Sequence, residues 1–172
     1  MSARSLCNPT AAIVAGGHLW IADTGNNRVL EFDSPWLTWD YANQRYTIKR
    51  DADRVFGQSD FTSNDCNLGA AGLCGPRGVA FDARSNLYIS DSGNNRIVYH
   101  MNPLADGTAE RVYGQTDFNN RDCTPEAGGA GAVCDPRGIA VISHVDAWGI
   151  DQGDDLYVAD AGTTASFSMS TR

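Results

Sequence analysis

The chain has 172 residues, 42% of them hydrophobic and 20% charged, with a formal net charge of -8 and a pI near 4.6. That suffices for one ordinary soluble domain with a sizeable core. The 13 basic residues are scattered, which argues against a nucleic-acid backbone as partner, and no run of 18 apolar residues offers a membrane span.

The 18 glycines, six Tyr and six Phe sit among Val, Ile and Asn-Gly turn signals, a composition of many short strands and almost no helix. The first residues, 1–6, lack a secretory apolar region. Residues 19–30 then place two apolar runs around Asp23-Thr24-Gly25-Asn26-Asn27-Arg28. Residues 87–98 repeat the unit around Asp91-Ser92-Gly93-Asn94-Asn95-Arg96, and residues 156–167 keep its strand and Gly162 but lose Asn-Asn-Arg. Pro9 to Pro76 is 67 residues, Pro76 to Pro136 is 60, and Gly25 to Gly93 is 68, so the period is long and variable. One period reads as four short strands, at 78–82, 86–90, 96–100 and 111–114, in an antiparallel meander.

In the turn, glycine and asparagine tolerate positive φ, and the preceding Asp is expected to hydrogen-bond forward to the loop backbone. Asp23, Gly25, Arg28, Asp91, Gly93 and Arg96 are therefore read as structural turn residues, with each Arg in an ion pair or hydrogen bond.

Four of the five cysteines form pairs at equivalent repeat positions, Cys66 with Cys74 and Cys123 with Cys134. Each pair spans a loop rich in Gly and Ala, which a disulfide closes for about 2 to 3 kcal/mol. Zinc pairs sit two to four residues apart and need two further ligands, which this spacing does not supply. Disulfides imply an oxidising compartment: periplasm, cell surface or secreted. Cys7 aligns with Cys74 and Cys134, the second members of the pairs, so it is an orphan thiol. It suggests a fragment whose beginning, with any signal peptide, has been removed; the alternative is a buried free cysteine.

A four-stranded unit cannot bury both faces alone, and radial stacking of such units makes a β-propeller. The run Pro76-Arg77-Gly78-Val79-Ala80-Phe81-Asp82, followed by Asn86 to Ile97, resembles the NHL-repeat family of propellers, in its bacterial, disulfide-containing form. The connecting Val55-Phe56-Gly57-Gln58-Ser59-Asp60-Phe61 and Val112-Tyr113-Gly114-Gln115-Thr116-Asp117-Phe118 are similar to segments of bacterial members. The expected fold is all-β: a partial β-propeller of about two and a half to three four-stranded antiparallel blades, blade 1 at about 7–61, blade 2 at about 74–118 and an incomplete blade 3 at about 134–172. The resemblance implies a ring of about six blades. This chain then completes its ring by self-association, or is a fragment of a longer chain.

Two insertions interrupt the register. Arg28 to Arg54 is 26 residues where Arg96 to Arg111 is 15, and Pro136 to Leu156 is 20 where Pro76 to Leu87 is 11. Alternating strand direction puts both on one face of the blades and the disulfide loops on the other. The first carries Trp36, Trp39 and Tyr41, aromatics suited to sugar rings or proteins unless they fold back over the blade. The second carries His144, Trp148 and several carboxylates. Calcium is the cofactor they invite, but the spacing fits no EF-hand and reads as a polar solvated loop.

No catalytic motif is present, and His18, His100 and His144 occupy unrelated repeat positions. The expectation is a non-catalytic, extracytoplasmic binding or scaffolding module for a protein or glycan ligand, without nucleic acid, cofactor or resident metal. The alternative that the resemblance implies is a fragment of a propeller lyase or lactone hydrolase, with a metal on the central axis.

Overall fold

The computed structural model describes residues 1–48, 50–123, 133–148, 151–162 and 167–170, of which 37, 145, 151 and 167–170 are described by backbone only. Strands β1 (Ala11–Ala15), β2 (His18–Asp23) and β3 (Arg28–Asp33) run into a separate hairpin, β4 (Leu37–Asp40) and β5 (Arg45–Ile48), before β6 (Arg54–Phe56). A second unit holds β7 (Pro76–Phe81), β8 (Leu87–Asp91), β9 (Arg96–His100) and β10 (Arg111–Tyr113). The third holds β11 (Pro136–Val145), β12 (Asp151–Asp160) and β13 (Phe167–Ser170). The sheets are ordered β1-β2-β3-β6, β7-β8-β9-β10 and β11-β12-β13, with every ladder antiparallel. Among the described residues, helix is confined to 3-10 turns at Thr24–Asn26 and Ser92–Asn94.

The sheets stack face to face because the inner strands of the second unit are buried on both sides. In β8, Leu87 and Ile89 pack towards the first sheet with Trp20, Ala22, Val29 and Phe56, while the intervening Tyr88 joins Ile97, Tyr99, Leu156 and Val158 towards the third. Burying both faces of β8 and β9 leaves no residue of either strand exposed. Strand β7 lies beside both β1 and β11, so the first strands of the three sheets are neighbours. The result is an open arc of two four-stranded blades and a three-stranded one, a partial β-propeller.

Hydroxyls stitch blade to blade. Thr24 Oγ1 donates to the Pro76 carbonyl at 2.6 Å, and the Ser92 hydroxyl does the same one blade on, to Pro136.

The second insertion departs from the expected loop. Instead of leaving the sheet, residues 143–145 and 151–154 lengthen β11 and β12 into ten-residue strands paired from Val141↔Leu156 out to Val145↔Asp151. An apolar pattern did not announce this extension, because it meets the second blade through polar groups: the Ala83 N–H donates to Ser143 Oγ at 2.9 Å, and buried Asp154 faces Arg84. Of the third repeat, residues 163–166 lie outside the described residues, as does the side chain of Phe167; the backbone of β13 pairs with β12. Residues 124–132 of the second disulfide loop also lie outside them.

Candidate functional site

The first insertion forms the β4–β5 hairpin, in register Trp39↔Tyr46 and Thr38↔Thr47. Period-two alternation gives it one polar face, with Thr38, Thr47, Asp40 and Arg45, and one apolar face, with Trp39, Tyr46 and Ile48. The apolar face is uncovered: Trp39 is 41% exposed, Tyr46 64% and Ile48 51%. Trp39 and Tyr46 meet edge to face with centroids 4.9 Å apart, a cross-strand pair that stiffens the hairpin. Trp36, just before β4, and Tyr41, in the turn, extend the surface at 48% and 86% exposure. At the turn, Asp40 accepts from the backbone of Ala42 and Asn43 and from the Asn43 amide, which holds its carboxyl below the ordinary range. None of the three aromatics expected here folds back into the core.

The second insertion shares this face by topology but not this character. Trp148 is exposed at the tip, where Asp146 accepts from its backbone N–H at 2.9 Å. His144 Nε2 lies 2.9 Å from Asp155 Oδ2. Asp154 lies 3.5 Å from Arg84 of the second blade. Of the carboxylates expected to invite calcium, Asp146, Asp154 and Asp155 thus each meet a different partner, and the side chain of Asp151 lies outside the described residues. Among the described residues no three His, Cys, Asp or Glu side chains are grouped as a metal site.

The repeated turns are built differently from a binding loop. Asp91 Oδ2 accepts from Asn94 Nδ2 at 2.8 Å and Arg96 Nε at 2.7 Å, while Oδ1 accepts from the Cys74 N–H at 2.7 Å. Arg96 spends its remaining donors on the carbonyls of Phe118, Gly69 and Gly72. Both side chains are wholly buried, and burial pushes the Asp91 carboxyl up against the opposing pull of Arg96. Asp23 and Arg28 repeat the pattern with Cys7, Phe61, Ser2 and Ser5.

Two sequence expectations are corrected here. In the first two repeats the Asp carboxylate takes its backbone N–H from the cysteine before the blade, and reaches forward to the Asn and Arg side chains of the turn rather than to the turn backbone. The left-handed residue is the second asparagine, Asn27 at φ 53 and Asn95 at φ 51, whereas each glycine is needed for close approach: a Cβ on Gly93 would lie 2.7 Å from Cys74 Sγ and 2.8 Å from its carbonyl.

The disulfides join Cys66 to Cys74 and Cys123 to Cys134, with Cα atoms 4.4 and 5.0 Å apart. Cys7 is free and exposed, so the buried alternative does not hold.

The family model described as NHL repeat matches residues 6–32 and 73–98, the two intact copies of this turn-and-strand unit. At these two segments the chain carries NHL repeats. Among solved structures, streptogramin B lyase is similar at 14% identity and a TM-score of 0.49 over 95% of this chain. An auxiliary nutrient binding protein from Bacteroides thetaiotaomicron VPI-5482 is similar at 14% identity and a TM-score of 0.45 over 86%. The chain spans 37% and 33% of the lengths of those two chains. No curated protein matches it.

The Phe/Tyr-Gly-Gln segments that follow these units also prove to be structural. Gln58 Nε2 donates to Asn27 O at 2.8 Å and Asp65 O at 2.7 Å, and Gln115 does the same to Asn95 and Asp122. Each glutamine ties the turn of its own blade to the loop leading to the next. The sequence signal was the recurrence of Gly-Gln after the last strand, and the missing knowledge was which backbone it would meet.

Proposed function

We propose that this NHL chain is a non-catalytic binding module of the cell exterior that holds a partner protein on the apolar face of the β4–β5 hairpin. The observation that carries this reading is the exposure of Trp39, Tyr46 and Ile48 together on one strand face. The middle strands of the second blade, by contrast, leave no residue exposed. Contiguous exposed aromatics of this kind supply large contact area at low entropic cost, and they mark interaction surfaces. Two disulfides support an oxidising compartment.

The flank of blade 1 supports a second contact, with a further blade from the same or another chain. Val14 is 56% exposed there, and Ala12, Leu19 and Ile21 share its face. Their counterparts in blade 2, Val79, Phe81, Leu87 and Ile89, are packed into the core between the first two sheets. Light scattering tests this contact: a strictly monomeric species at all concentrations counts against self-association.

The partner site is tested with a photocrosslinking amino acid at Tyr41 of the full chain, in envelope extract of the source organism. A discrete adduct that W39A/Y46A abolishes supports the reading. Equal adducts from a crosslinker at Asp117, or binding of oligosaccharides with no protein adduct, contradicts it.

A further inference from the structure

The first strands of the three blades, β1, β7 and β11, are the edge strands of their sheets and lie side by side. Where they begin there is an open groove of about 330 Å³, lined by Thr10, Ala11, Arg77, Gly78, Val79 and Arg137, among others. The backbone of this wall is fixed by hydroxyls: Thr10 Oγ1 donates to the Arg77 carbonyl at 2.9 Å, and Ser90 Oγ to the Arg137 carbonyl at 2.7 Å.

Arg77 and Arg137 occupy the same position in consecutive repeats, with side chains 40% and 55% exposed. Unlike the buried Arg28 and Arg96, they are not consumed by backbone carbonyls. Both address one carboxylate. Arg137 donates Nε and Nη2 to Asp135 Oδ2 at 3.0 and 2.8 Å, and Arg77 Nε stands 3.8 Å from Asp135 Oδ1. Two guanidiniums that reach one carboxylate are placed to grip another, and three groups of this kind leave one net positive charge in a chain of net charge -8.

The fold does not require that carboxylate. Position 135 is left-handed at φ 52, and its counterparts are Asn8 at φ 46 and Gly75 at φ 55, residues without charge in the same conformation. The backbone N–H of Asp135 is satisfied by Asn95 Oδ1 at 2.9 Å, as that of Gly75 is by Asn27 at 2.7 Å. The carboxylate of Asp135 is thus an addition to the repeat, seated between two arginines that line a groove.

We infer that this groove binds a small carboxylate-bearing solute through Arg77 and Arg137, in competition with the tethered carboxylate of Asp135. The site is separate from the β4–β5 hairpin, so the W39A/Y46A variant retains it.

The test is calorimetric titration of the full chain with succinate, and in parallel with inorganic phosphate, at equal low ionic strength. Succinate binds the wild type, D135N binds it several-fold more tightly, and R77Q/R137Q binds it at least about ten-fold more weakly. Thermal midpoints of all variants within a few degrees of wild type confirm that each is folded. An ion pair that only joins blade 2 to blade 3 gives the opposite pattern: D135N melts earlier and gains no affinity. The assignment is overturned by that pattern, by absence of succinate binding in both wild type and D135N, or by phosphate binding at least as tightly as succinate.

Discussion

Arg96 donates Nε to Asp91 Oδ2 at 2.7 Å with neither side chain exposed, and the same carboxylate accepts from the backbone of Cys74. One buried pair therefore fastens three pieces of chain: the β8–β9 turn, the disulfide loop before the blade and, through Arg96, the carbonyl of Phe118 beyond it. Arg96→Met leaves a buried carboxylate without its cation and is expected to cost about 3 to 5 kcal/mol. Urea denaturation measures the loss. A double-mutant cycle of Arg96→Met with Asp91→Asn should show coupling above about 1 kcal/mol; additive single effects would mean that the two side chains act independently.

Gly93 separates close approach from backbone conformation. Gly93→Ala places a methyl against the sulfur and carbonyl of Cys74 and is expected to destabilise by about 2 kcal/mol or more. Gly69 has φ +86 and open space around its missing Cβ, so Gly69→Ala reports left-handed strain alone, about 1 kcal/mol. Thermal melts of the two variants should rank them in that order.

The Cys66–Cys74 disulfide closes a loop with sequence separation 8. Replacing both cysteines with serine should lower stability by about 2 to 3 kcal/mol on the chain-entropy model. The loop carbonyls of Gly69 and Gly72 hold Arg96, so the same variant is expected to weaken the coupling between Asp91 and Arg96. Unchanged coupling in the reduced background would show that the turn holds the loop unaided.

His100 ends β9 with its ring perpendicular to that of Phe56, and burial pushes its imidazole down to about 4, opposed by the Thr108 backbone and Asp106. The folded value lies below the unfolded value of about 6.5. Its contribution is therefore complete above pH 6.5 and is lost as the pH falls towards 4, on the order of 3 kcal/mol in all. The urea midpoint of the wild type should fall through this window, and His100→Leu should fall less steeply. Parallel curves for the two proteins would show that His100 does not carry the acid sensitivity.

Most of the fold was legible because strands buried on both faces need long apolar side chains, and Leu87, Tyr88 and Ile89 or Ile97, Val98 and Tyr99 have them without interruption. Tight turns announced themselves through Gly and Asn. What composition and spacing could not show was where a side chain crosses to another segment. Asp91 was expected to serve its own turn and serves Cys74 as well; Gln58 resembled a family mark and is a tie between Asn27 and Asp65. The outer half of the β11–β12 hairpin was hidden for a different reason: it meets the second blade through polar groups, Ser143 with the Ala83 N–H and buried Asp154 with Arg84, in place of an apolar face. Arg77 and Arg137 looked scattered among 13 basic residues, and only the adjacency of the first strands brings them to one carboxylate.

The central claim is that the repeating residues hold the blades together and that the non-repeating hairpin does the binding. Excision tests it most directly: residues 35–49 are replaced by a short glycine–serine linker, and the variant is followed by thermal denaturation and by capture of the photocrosslinked partner, the crosslinker now at Asp33. The midpoint should stay within a few degrees of wild type while the adduct disappears. A variant that unfolds, or one that stays folded and still yields the adduct, would contradict the account.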